Sequence, residues 1–190
     1  MRDTAVAKIW EAKTQGDWLE VIALGKQVEG DLNVVYNDAV ERHVRFNMGL
    51  AYQNLGQAQP AMRAFQRAAD ISATERNFKL EGHYLTYVAN ISMRLGSADA
   101  RACFEKVRRL GEQGGYFALE SEASLGLSKL AAAEGRLEEA RELGQQAVIA
   151  AGLMEDDELG KTIFQANALQ SVVEGSSREA PDFDEGLLQR

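Results

Sequence analysis

The sequence predicts an all-α solenoid, a row of antiparallel helical hairpins, and three observations predict it. Glycines recur at a fixed interval: Gly16, Gly56, Gly96 and Gly135 stand 40, 40 and 39 residues apart, which marks a repeat array. The stretch from Phe46 to Ile71, FNMGLAYQNLGQAQPAMRAFQRAADI, reads as two helices broken at Gly56. The 190 residues hold only 2 prolines and 7% aromatics, with much Ala, Leu, Glu, Gln and Arg, the composition of a helical chain.

The central stretch shows how one hairpin works. Met48, Gly49, Tyr52 and Leu55 share one face of a 3.6-period helix. Gly56 ends it, since glycine takes the left-handed conformation without a Cβ penalty. Pro60 falls in the first turn of the next helix, where a missing N–H costs nothing. Ala61, Phe65 and Ala68 give that second helix its own stripe. Gly49 and Ala61 are small where the two backbones must approach, and Tyr52 and Phe65 fill the space beside them.

In chain order, the first unit covers about residues 4–30. Helix A runs from Thr4 to Gln15, and the box Asp17-x-x-Glu20 caps helix B, whose apolar face is Val21, Ile22 and Val28. Residues Gly30 to Tyr36 form a loop, followed by a second box, Asp38-x-x-Glu41. The second unit covers 37–73 and the third 75–111. Helix A of the third unit lies close to Glu75–Leu95, with Leu85, Val88, Ala89, Ser92 and Leu95 in register. Its helix B carries Ala100, Phe104 and Val107, and Gly111 to Gly115 breaks the chain. The fourth unit, 116–152, shows Leu127, Ser128 and Ala131, then Gly135, then Leu137, Ala140 and Ala147, with Gly144 at the aromatic position. A capping helix is expected over 155–174, its acidic start suited to the helix dipole. Residues 1–174 thus form one repeat domain, and 175–190 a flexible acidic tail.

The order Gly49, Tyr52, Leu55-Gly56, Ala61, Phe65, Ala68 resembles the tetratricopeptide repeat pattern. The repeats exceed the common form of about 34 residues and lack its boundary proline, and in this they resemble Pins-type G-protein-signalling modulators and rapsyn. The first unit departs from the pattern, with Ile9 where a small residue is expected and Gly25 in place of the aromatic; Trp18 is expected to supply the missing bulk. The resemblance implies a right-handed superhelical α-solenoid of four hairpins plus the capping helix, its concave face lined by the A helices. By register that face carries Trp10 and Lys13 in the first unit, then His43, Phe46, Asn47, Leu50 and Gln53. The third unit adds His83, Thr86, Asn90 and Arg94, and the fourth Glu122, Leu125 and Lys129. Aromatics, amides and a few charges suit an extended or helical peptide whose backbone the amides would bond. Family members that clamp the C-terminal carboxylate of chaperones use Lys, Asn and Arg at positions that here read Val6, Trp10, Asn47, His83 and Tyr87. Only Asn47 matches, which disfavours that ligand.

Function is bounded by what the residues can do. Residues 1–110 hold 15 Lys and Arg against 13 Asp and Glu, +2; residues 111–190 hold 6 against 16, −10. Phosphate neutralisation needs a basic surface, so nucleic acid is not the expected partner. No apolar run approaches the roughly 18 residues of a membrane helix. His43 and His83 sit at equivalent positions of repeats about 10 Å apart, too far for one metal ion held at about 2 Å. The single cysteine, Cys103, lies on a helix B and fits helix packing in a reducing compartment. No phosphate-loop, nucleophile-elbow or HExxH motif is present. The reading is a cytoplasmic adaptor or scaffold that binds a protein or peptide, with no catalysis, cofactor or metal, monomeric unless part of an assembly. The alternative is a structural subunit that works through its convex or end surfaces.

Overall fold

The computed structural model describes residues 2–32 and 38–154, and 87% of these residues are helical. The elements are α1 (Arg2–Gln15), α2 (Trp18–Leu32), α3 (Asp38–Asn54), α4 (Ala58–Thr74), α5 (Phe78–Arg94), α6 (Asp99–Gly114), α7 (Phe117–Ala133) and α8 (Leu137–Gly152). They pair as four antiparallel hairpins, α1/α2 to α7/α8, and each hairpin packs on the next, making an all-α solenoid. Among the described residues there is no strand. The expected capping helix over 155–174 and the tail over 175–190 lie outside the described residues.

One turn is used throughout. Gly56 stands at φ 72°, its N–H bonding the Gln53 carbonyl at 3.1 Å, and Gln57 N–H bonds the Tyr52 carbonyl at 2.8 Å. This double closure satisfies two carbonyls at the helix end. It recurs at Gly16, Gly96 and Gly135, as the glycine interval predicts. It also recurs between hairpins at Arg76, with φ 56°, so the true spacing of turns is about 20 residues, not 40. The turn delays α5: it begins at Phe78 rather than Glu75, capped by Asn77, whose side-chain oxygen accepts from Leu80 N–H at 3.1 Å.

A non-glycine residue in the left-handed region costs on the order of 1 kcal/mol. Arg76→Gly is therefore expected to stabilise the chain by about 0.5–1 kcal/mol and raise the melting temperature by a few degrees. A drop in thermal denaturation would show that the Arg76 side chain has a compensating role.

Other differences from expectation have local causes. Helix α2 continues through Gly30 to Leu32, and α6 runs through Gly111 to Gly114, so the break falls at Gly115 alone, at φ 65°. Gly111 is a packing glycine: an added Cβ would lie 2.7 Å from Glu120 Cγ and 3.0 Å from Glu120 N. Leu55 and Leu95 fall just past their helices and are exposed rather than part of the stripe. The Asp17 cap forms, its carboxylate accepting from Glu20 N–H at 3.1 Å.

The core runs between hairpins as well as within them. Ile9 is fully buried with Val21, Val44 and Met48, so the first hairpin places its bulk on helix A. Gly25 opposite makes room for Met48 of the next hairpin, and Trp18 packs half-buried beside them. Phe65 and Phe104, both fully buried, occupy the space left by Gly49 and Gly126. Hydroxyls tie α7 to α8, Ser121 donating to the Ala147 carbonyl at 2.9 Å and Ser128 to the Ala140 carbonyl at 2.6 Å.

Candidate binding groove

Curvature follows from which helices touch across repeats. The A helices lie against each other, α1 on α3 and α5 on α7, and among the described residues no two B helices pack in this way. The A helices therefore line the inner side. Between α3 and α5 the contact is made by rings. Phe46 of α3 lies 5.7 Å from the His83 ring, 5.1 Å from Tyr84 and 5.6 Å from Tyr87, all on α5. Phe65 of α4 stacks on Tyr87 at 4.6 Å from beneath. Ring pairs at these separations favour tilted and offset arrangements, each worth about 0.5–1.5 kcal/mol beyond area burial.

The first hairpin extends this floor. Lys13 of α1 holds its Nζ 5.1 Å from the Trp10 ring centroid and 5.9 Å from that of Phe46, between two faces that attract a cation. Trp10 is 56% exposed, a large ring left in solvent at the inner surface. His43 of α3 lies nearby, half-buried. Burial pushes its pKa below the ordinary histidine value, and the positive Lys13 and Arg42 push the same way.

That shift has a definite consequence for stability. A histidine whose folded pKa is depressed takes up its proton more readily in the unfolded chain. Its contribution is present above about pH 6.5, the unfolded value, and is lost as pH falls through the lower folded value. Between pH 7.5 and 5.5 the wild type should lose more of its melting temperature than His43→Gln. Parallel losses would mean that His43 is not desolvated as described.

The other register positions divide by depth. Leu50 packs partly buried against Ala61, Phe65, Val88 and Ile91. Asn90, Arg94 and Lys129 are exposed. Arg94 lines a cleft of about 190 Å³ with Gln53, Gly56, Ala58, Ile91 and Leu95. Asn47 and Thr86 are different. Asn47 is 1% exposed, its Nδ2 donating to the His43 carbonyl at 2.8 Å. Thr86 is 6% exposed, its hydroxyl donating to the Gly82 carbonyl at 3.0 Å. Both spend their polar groups on their own helices and lie beneath the floor. Leu125 is also buried, against Ala147.

Tyr84, Tyr87, Gly82 and Gly126 escaped the sequence reading. Tyr87 stands 40 residues after Asn47, at the same repeat position, and that equivalence was the available signal. Mid-helix glycines were the other: a Cβ on Gly82 would lie 2.4 Å from Leu119 Cδ1, and one on Gly126 2.3 Å from the Phe104 ring. Close approach of neighbouring hairpins needs both glycines.

Cys103 is half-buried, its thiol pushed up by burial and by nearby Asp99, and so kept protonated. Among the described residues no group of three His, Cys, Asp or Glu could hold a metal ion, and no helix is long and apolar enough to cross a membrane.

Stacked hairpins with an inward row of A helices define a helical-repeat solenoid, a class whose extended concave surface serves binding. Among solved structures the apo form of RapI is similar over 91% of this chain with a TM-score of 0.77, at 15% identity. The chain spans 49% of the RapI chain. A Podosopora anserina protein of kinesin light chain type, with nearly identical TPR-like repeats, is similar with a TM-score of 0.61 at 16% identity, over 94% of this chain and 97% of that one. The fold is thus that of tetratricopeptide-type helical repeats. No protein-family model matches the sequence, and no curated protein matches it.

Proposed function

We propose that this chain is a non-enzymatic interaction module that takes an extended or helical peptide segment of a partner protein into the groove lined by α1, α3, α5 and α7. One observation carries the reading: a floor of rings spans three hairpins, from exposed Trp10 through Phe46 to His83 and Tyr87. Rigid aromatic surface with a polar rim is what binding hot spots are made of. Asn90 and Arg94 stand exposed at the rim on α5, with Lys129 on α7, placed to bond a peptide backbone or its side chains. Trp10, His43, Phe46, Leu50, His83, Asn90, Arg94 and Lys129 are the proposed contact residues; Asn47 and Thr86 shape the floor from below. We read the chain as a cytoplasmic adaptor, monomeric on its own, and as binding neither nucleic acid nor cofactor.

The test is site-specific photo-crosslinking in native extract. A photoreactive residue at Asn90 is expected to capture a partner that the same residue at Arg63, exposed on α4, does not. Equal capture from both positions would move the interaction off the groove.

A second reading has one observation in its favour. Ile149 and Leu153, 66% and 55% exposed at the α8 end, border a cleft of about 410 Å³ with Arg108, Glu120 and Gln146. An assembly subunit working through that end would self-associate in light scattering, and a groove binder would not.

A further inference from the structure

We infer that the end of the groove formed by α1, α3 and α5 is a subsite for a side-chain carboxylate, so that the partner segment is acidic and carries an aromatic or large aliphatic side chain next to its Asp or Glu. This rests on the groove reading above and names the chemistry of its occupant.

The Lys13 ammonium is the key group. It brings three N–H donors and a full charge. Its contacts are ring faces, Trp10 at 5.1 Å and Phe46 at 5.9 Å, which attract the charge but leave strong donors without an acceptor. Among the described residues it forms no ion pair, whereas Arg67 bonds Glu41 through two nitrogens at 2.7 and 3.0 Å and Lys106 holds Glu81 at 2.8 Å. His43 and Arg42 add positive charge beside it, and Arg42 is already matched by Glu75. Further along the inner face, exposed Arg94 and Lys129 likewise form no ion pair among the described residues. Glu122 is the one carboxylate at the register positions given for this face. A face with this balance is notable in a chain of net charge −8.

An Asp or Glu entering here would accept from Lys13 while its neighbour's side chain packed on the exposed Trp10 ring. A charge-assisted hydrogen bond at a half-buried site is roughly twice as strong as a neutral one. A basic segment would be repelled by the same group, which makes the subsite selective as well as attractive.

The experiment uses the full chain and two fluorescein-labelled peptides, Gly-Asp-Phe-Asp-Glu-Leu-Gly and its amide counterpart Gly-Asn-Phe-Asn-Gln-Leu-Gly, read by fluorescence anisotropy. The acidic peptide is expected to bind about ten-fold tighter at low salt, with the preference shrinking as salt screens it. Lys13→Gln should bring the acid-to-amide ratio close to one and Lys13→Arg should keep it, both variants melting like the wild type. Equal binding of the two peptides, an unchanged ratio in Lys13→Gln, or no binding of either peptide overturns the inference. Failure of the groove reading looks different: Asn90→Trp, which obstructs the groove, would then leave both peptides unaffected, whereas a sound groove without this subsite would lose both equally. The chain has its own acidic and apolar segment, Asp182, Phe183, Asp184, Glu185, Gly186, Leu187, Leu188. Acid preference that emerges only when Asp182, Asp184 and Glu185 are neutralised in the full chain would assign the subsite to that segment and overturn the assignment to a separate partner.

Discussion

Replacing Gly49 by leucine is expected to destabilise the chain by about 3 kcal/mol, the upper range for overpacking a tight core. The reason is local and complete. A Cβ at Gly49 would sit 2.6 Å from Phe65 Cε1 and 2.9 Å from Cζ, and Phe65 is itself fully buried. The ring cannot retreat, because Tyr87 stacks on it at 4.6 Å and Phe46 lies at 5.9 Å. The helices must part instead, at the middle of the array. Cutting the ring back in Gly49→Leu/Phe65→Ala should recover part of the loss, so the two changes should couple rather than add. Gly144→Ala is a control of opposite sign. Its Cβ would meet only Ser128 Oγ, at 3.5 Å, so the change should stabilise by about 0.5–1 kcal/mol through helix propensity. Thermal denaturation of these variants reads both signs; a Gly49→Leu chain that melts like the wild type would place the α3/α4 contact elsewhere.

Lys106→Met is expected to cost about 2 kcal/mol. Glu81 is 4% exposed, an ionised side chain at the packed end of α5, and Lys106 of α6 holds it at 2.8 Å. Removing one partner of a fully buried pair costs roughly 3–5 kcal/mol, because the other charge is stranded. Lys106 is half exposed, so water can replace part of what it supplies, and the expected loss is smaller. The double variant Glu81→Leu/Lys106→Met should come back close to the wild type, since an apolar pair of similar size carries no desolvation penalty. Chemical denaturation of the two singles and the double checks this. A double variant no better than Lys106→Met alone would show that the loss is one of packing by the lysine stem.

The fold was legible because its turns are written in glycine. Gly16, Gly56, Gly96 and Gly135 each stand in the left-handed region that makes glycine the cheapest residue. Arg76 does the same work without the letter, so the junction between the second and third hairpins was misplaced by three residues. Buried small residues divide the same way. Gly49 was readable because Phe65 lies one turn-and-return away in sequence, while Gly126 packs on Phe104 of the preceding hairpin, a pairing no local pattern encodes.

The groove was legible as a side but not as a depth. Register placed Trp10, Phe46, His83 and Asn90 toward the inner face, and the A-helix contacts make that face concave. Register could not show that Asn47 would turn its amide onto the His43 carbonyl, or that Thr86 would bond back to Gly82. Polar side chains of this kind bond their own helix when buried, and burial is set by neighbours distant in sequence. The ring bridge between α3 and α5 was hidden for the same reason: Phe46, His83 and Tyr87 sit far apart in the chain and meet only when hairpins stack.

The central claim is that binding takes place on the inner face, and Trp10 reports on it directly. The chain has two tryptophans, and Trp18→Phe leaves Trp10, 56% exposed at the groove, as the sole emitter. Emission from this variant should shift to the blue when the segment captured by the Asn90 crosslinker is added, as the ring passes from water to a covered surface. Saturable binding of that segment with no change in Trp10 emission would contradict the account.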